Sequence, residues 1–124
     1  TEHENAVIEY CSTEHENAVI EYCSTSDKRV KQALYEVYIA PAFNEMVDKI
    51  IYTYKFTNLP NIESQREECK FWLMTILEKY DPTKGYKAFS YFSVITKNWF
   101  IHKVKKTIMN KNQNQMKRIK IKIK

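Results

Sequence analysis

The chain has 124 residues, 44% hydrophobic and 28% charged, which suits one globular domain with a modest core and excludes a disordered or collagenous chain. One Gly and three Pro argue against a turn-rich β architecture and against a Gly-rich phosphate loop. The net charge of +5 divides unevenly: residues 1–81 carry 8 Lys/Arg and 15 Asp/Glu, whereas residues 82–124 carry 12 Lys/Arg and no acid. An evenly solvated surface intersperses its signs, so a split after Asp81 suggests two different partners for two parts of one small domain.

The chain begins with a tandem duplication, TEHENAVIEYCS at 1–12 and again at 13–24. Solenoid repeats need longer, imperfect and more numerous copies, so 1–24 does not read as a repeat architecture. Perfect identity favours an artefactual copy over an evolved array. Cys11 and Cys23 are then copies of each other, and with Cys69 they form no metal-spaced pair and no disulfide framework, which fits a reducing compartment.

Thr13 with Glu16 three residues on reads as a capping box opening a short helix through Ala18–Tyr22. The segment Ser24–Asp27 breaks it, and a second helix is expected from about Lys28 to Ile39. Pro41 demands a kink or a restart, because a proline fits the first turn of a helix but not its interior. Phe43, Met46, Val47, Ile50, Ile51 and Tyr54 then recur at spacings that make one apolar helical face. Asn58, Pro60 and Asn61 mark a loop over Thr57–Glu63. Ser64 and Glu67 spell a second capping box, opening a helix whose Cys69, Trp72, Leu73, Ile76, Leu77 and Tyr80 share a face. Asp81-Pro82 ends that helix and Lys84-Gly85 completes a tight turn.

The last long helix is expected over about Phe89–Met109, with two apolar stripes. Val94, Ile101, Val104 and Ile108 have the composition of a core face. Phe92, Ile95 and Trp99 share the roughly opposite side with Lys103 and Lys106. The Asn-, Gln- and Lys-rich remainder, 111–124, reads as a flexible basic tail with an alternating Ile/Lys end. The fold class is therefore all-α: a compact helical bundle over 25–110 with a basic C-terminal helix and tail.

No catalytic constellation emerges, and no enzyme is expected. His3 and His15 are copies, His102 has no partner at a telling spacing, and no CxxC, HExxH or acidic metal cage occurs, so neither a metal nor another cofactor is expected. No apolar run nears the ~18 residues that span a bilayer, and no signal peptide is visible, so no membrane partner is expected. The nucleic-acid reading has more support. Twelve basic residues without counter-acids can neutralise several phosphates, and Phe92 and Trp99 offer faces for base stacking, worth ~1–3 kcal/mol per base. The plain alternative makes both rings core and the lysines a solvated face.

The stretch LEKYDPTKGYKAFSYFSVITKNWFIHKVKK, Leu77–Lys106, resembles the heart of conserved region 2 of bacterial sigma factors. In that region a helix ends in an aromatic, an Asp-Pro-like turn and a Gly follow, and a Phe-Ser-aromatic run opens the promoter-melting helix. The closer similarity is to the small late-transcription sigma factors of T-even-type bacteriophages, through the aromatic-Asp turn, the spacing Tyr91, Asn98, Phe100 and the paired lysines Lys105-Lys106. The resemblance extends over roughly 14–110 and is firmer after Ser64. It implies a sigma domain 2-like fold and a factor without catalysis of its own. Such a factor docks on the β′ clamp helices of the bacterial host RNA polymerase core, then recognises and helps melt an A/T-rich −10-like promoter element in the host bacterial cytoplasm. By the same resemblance the polymerase-binding residues would be Glu67, Glu68, Lys70 and Met74. The DNA-binding residues would be Lys84, Tyr86, Lys87, Phe89, Tyr91, Phe92, Asn98, Trp99, His102, Lys103 and Lys106. A phage coactivator and the replication sliding clamp are further implied partners.

Three departures from the family stand in the sequence. Ile95 and Thr96 occupy the place of a Trp pair in housekeeping factors. Phe92 replaces a Tyr that holds an unstacked adenine there. The hydrophobic-acidic tail that contacts the clamp has no counterpart at the Ile/Lys end, so either that tail lies outside this chain or clamp coupling is absent. Two other function classes remain open: a general single-stranded DNA- or RNA-binding helical module, and a polymerase-binding regulator that recognises no promoter.

Overall fold

The computed structural model describes residues 13–85 and 87–123, with side chains within 14–113. Its regular structure is entirely helical, in agreement with the all-α expectation. The first copy of the duplicated segment lies outside the described residues. The second copy forms α1 (Thr13–Ser24) and buries Ala18, Val19 and Tyr22.

Asp27, extended at φ −77° and ψ 114°, restarts the chain by accepting the Arg29 N–H at 2.9 Å, and α2 (Lys28–Leu34) follows. A π-helical turn, Tyr35–Ile39, carries the rod without a break into α3 (Ala40–Thr53). In that turn the Ala40 N–H reaches back to the Tyr35 carbonyl. The expected disturbance at Pro41 takes this form for a steric reason. Pro41 has no N–H to donate, its ring presses on the carbonyl four residues back, and a widened turn just before it relieves the clash.

The apolar spacing read in α3 is realised: Ala42, Phe43, Met46, Val47, Ile50 and Ile51 are all buried. This helix is the central strut, packing against α4 (Ile62–Lys79) on one side and α5 (Ala88–Ile123) on the other. Lys55 in left-handed conformation at φ 60° ends it, and a short 3-10 turn, Phe56–Asn58, tucks Phe56 under the core. The expected face of α4 also holds, with Cys69, Leu73 and Leu77 buried and Trp72, Ile76 and Tyr80 packed beside them.

Both capping boxes are corrected. Helix α4 opens two residues before Ser64, after Asn61 at φ 57°, and its N-cap residue makes no side-chain cap bond. Glu67 instead pairs with Lys70 at 3.7 Å and Arg66 at 3.8 Å along the helix surface. Glu16 is taken by another helix altogether. Its Oε2 accepts the Ala88 N–H and its Oε1 the Phe89 N–H, both at 2.9 Å, so a carboxylate on α1 caps the N-terminus of α5. Four N–H groups at that end have no intrahelical acceptor, and a negative charge there also complements the helix dipole.

Helix α5 has 36 residues and runs through Ile123 rather than stopping near Met109. Its core face is the reverse of the expected one. Phe89, Phe92, Thr96 and Phe100 are buried, whereas Val94 is 50% and Ile108 53% exposed. The aromatic side wins because each ring removes more apolar area from water than a Val or Ile. Phe43 is the hub, with Phe92 set edge-on at 5.3 Å between centroids and Phe89 at 5.7 Å. Phe56 stacks on Phe100 at 5.4 Å and closes the far end.

Two consequences are measurable by urea unfolding. Glu16→Ala should lower stability by about 1–2 kcal/mol, the usual worth of a helix cap, and Glu16→Gln by less because its amide oxygen still accepts a bond. Burial pushes the Cys69 thiol up to about 12, with the neighbouring Glu68 charge adding to the shift. An unfolded thiol loses its proton near pH ~8.5, so above that value the unfolded state holds fewer protons and unfolding is favoured as pH rises. The stability advantage of the wild type over Cys69→Ala should therefore be full below about pH 8 and shrink by about 1 kcal/mol per unit between pH 9 and 11.

Candidate nucleic-acid interface

The turn before α5 sets its start. Tyr80 and Asp81 are extended, as suits residues leading into Pro82, and Asp81 Oδ1 accepts the Thr83 N–H at 2.9 Å and its hydroxyl at 2.6 Å. These bonds from Thr83 hold the Asp81 carboxyl below the usual carboxylate range. Gly85, at φ 86°, turns the chain into the helix where a residue with a Cβ would be strained. Lys84 and Lys87 stand exposed on either side of that turn, and Tyr86 lies outside the described residues.

Along α5 the residues expected to face DNA separate into three groups. Asn98, His102 and Lys106, each four residues from the next, share one exposed face. Tyr91, Trp99 and Lys103 are half-buried and engaged. Tyr91 stacks on Tyr80 at 5.9 Å and Trp99 on Trp72 at 6.3 Å. Lys103 lies 4.8 Å from the Trp99 ring centre and 3.4 Å from Glu68, so part of its charge is spent within the fold. Phe89 and Phe92 form the third group and correct the expectation outright. They are 1% and 0% exposed, enclosed by Phe43, Tyr80 and each other, and present no ring to a base. Residues three and four apart on a basic helix can face either a groove or a core, and here the facing aromatic of α3 decides.

The residues expected to meet a protein partner occupy more than one side of α4. Glu67 and Met74 lie on the exposed line that also carries Phe71, which sequence reasoning missed although it is 72% exposed. Its signal was a large aromatic off the Cys69–Tyr80 face. Glu68 faces α5 through Lys103, and Lys70 is held by Glu67 and by Asp48 at 4.0 Å. Beside Phe71 and Met74 runs an open groove of about 300 Å³, walled by Tyr22, Tyr35 and Glu78. The Tyr22 hydroxyl donates to Glu78, whose other oxygen lies 3.8 Å from Lys31. Burial and the Glu78 contact push the Tyr22 phenol well above its ordinary range, so it remains a neutral donor. Among the described residues no group of His, Cys, Asp or Glu is arranged to hold a metal ion, and no helix is long and apolar enough to cross a membrane.

The burial of Phe92 has a direct test. Phe92→Ala should cost about 3–5 kcal/mol of stability in denaturant unfolding, whereas Asn98→Ala, on the exposed face, should change it by less than about 0.5 kcal/mol. No family model matches the chain, and no curated protein and no solved structure matches it either.

Proposed function

We propose that the chain is a phage-type late sigma factor, a specificity subunit that binds a bacterial RNA polymerase core and directs opening of an A/T-rich −10-like element. One observation carries the reading: the acid-free helix α5 turns Asn98, His102 and Lys106 to solvent on a single face, continuous in sequence with exposed Lys84 and Lys87. A duplex backbone is met by such a row, in which Asn98 and His102 can donate hydrogen bonds to phosphate oxygens and the lysines displace condensed counterions. The protein-docking side is then α4, with Phe71 and Met74 as the apolar anchors and Glu67 beside them. Aromatic and Met side chains are the ones that contribute most where a partner excludes water.

Base capture in this reading falls to Tyr91, which is partly exposed, and to Trp99 once Lys103 swings off its ring, while Phe89 and Phe92 serve to hold the helix. That assignment favours a factor acting with polymerase over a general single-strand binder. A stand-alone binder needs several open rings along its groove, and two of the candidates are in the core.

The experiment is transcription by core polymerase on supercoiled DNA carrying an A/T-rich −10-like element. Addition of the chain should yield transcripts from one start site, and the double variant His102→Ala/Lys106→Glu should lose most of that selectivity while still co-purifying with core. Phe71→Ala/Met74→Ala should lose core binding instead. No start-site selection, together with tight binding of single strands by the chain alone, would replace this reading with the single-strand module. Polymerase binding that inhibits without selecting a start would replace it with the regulator.

A further inference from the structure

Helix α5 has a third face. At about 100° per residue, Val94, Ile101 and Ile108 recur every seven residues on one line, and Val104 falls beside Ile101. This line is set off both from the core face of Phe89, Phe92 and Phe100 and from the polar face of Asn98, His102 and Lys106. Val94 and Ile108 are about half exposed, and Ile101 and Val104 are half-buried against the edge of the core. The spacing is that of a coiled-coil seam, with β-branched residues at each seventh position, and such positions suit two-stranded pairing.

The other seam positions are cationic. Lys97 and Lys111 stand three residues after Val94 and Ile108, where Val104 stands three after Ile101, and Lys105 flanks the line. Lys97 is drawn over the Tyr54 ring at 4.6 Å, while Lys105 and Lys111 are exposed. We propose that this seam docks an acidic amphipathic helix of another protein, its apolar stripe against Val94, Ile101, Val104 and Ile108 and its carboxylates against Lys105 and Lys111. The choice of occupant follows from charge. A second copy would bring an acid-free helix against an acid-free helix, setting lysines against one another with no carboxylate between them. A membrane surface wants a broad apolar face, and this line is only one or two side chains wide. A nucleic acid would answer the lysines and leave the valine and isoleucines in water. The inference is independent of promoter recognition, since neither DNA nor polymerase enters it.

The test uses the full chain and a labelled heptad peptide with Ile and Leu on its seam and Glu on both flanks, followed by fluorescence anisotropy. The peptide should bind, with affinity falling as salt rises, and Val94→Gln/Ile108→Gln should weaken it tenfold or more while leaving the thermal unfolding curve unchanged. The same peptide with Lys flanks, or with Ser on its seam, should bind at least tenfold more weakly than the Glu-flanked form. Equal binding by either control, or no loss in the double variant, overturns the proposal. A seam-dependent dimer in sedimentation would give the face to a second copy and overturn it likewise. So would seam-dependent binding to vesicles of phosphatidylcholine and phosphatidylglycerol.

Discussion

The two hydrogen bonds from the first turn of α5 to the Glu16 carboxylate fix the rest of the molecule. They join residues 72 and 73 apart in sequence, and they do so at the end of the longest helix. With the N-terminus of α5 pinned to α1, Phe89 and Phe92 face Phe43, and the rotation of the whole helix about its axis follows. Every side chain beyond them then has its direction set by helical periodicity alone. A carboxylate suits this place better than a hydroxyl because its two oxygens serve two donors at once. The helix it caps is otherwise acid-free, so no charge of its own competes for that end.

Rotation decides what the basic half of the chain can do. The core claims one side of α5, and the cations are left on the others, some free and some engaged. Lys103 is drawn between Glu68 and Trp99, which ties α4 to α5 at a partly exposed site where an ion pair contributes less than about 1 kcal/mol. The contact matters more for the surface than for stability. It removes one cation from the row facing solvent and holds it over the Trp99 ring, so among the described residues of the basic part the exposed charge lies with Lys84, Lys87, Lys105, Lys106 and Lys111.

Much of this was legible in the amino-acid order, and the boundary of legibility is physical. The faces of α3 and α4 could be read because one long apolar stripe dominates each helix, and such a stripe is driven into the core. Helix α5 has two, so periodicity proves it helical without naming its core side. The choice depends on Phe43, Tyr80 and Phe56, which lie on other elements and complement rings rather than β-branched chains. Glu16 was legible as a capping residue and attached to the wrong helix. A capping box is a local pattern, and a carboxylate that reaches across 72 residues leaves no local trace. Phe71 stands in the sequence as an aromatic off its helix's apolar face, and its exposure needs no partner element to interpret.

The division of charge at Asp81 acquires a structural meaning from these placements. The acidic part is not an acidic surface in its entirety: Glu16 is consumed by a cap, Glu78 by Tyr22 and Lys31, Glu68 by Lys103, and Asp48 by Arg66 and Lys70. The basic part is consumed far less, because the carboxylates within reach of α5 are already committed. Among the described residues of the helix, Lys105, Lys106 and Lys111 are exposed with no Asp or Glu of the helix to offset them, so their field is directed outward. Its apolar seam and its polar face sit within that one field, so an anion drawn to either face lowers the potential that a second anion would meet at the other. Electrostatics alone therefore sets the two faces against each other as anion sites, without a conformational change in the helix that separates them.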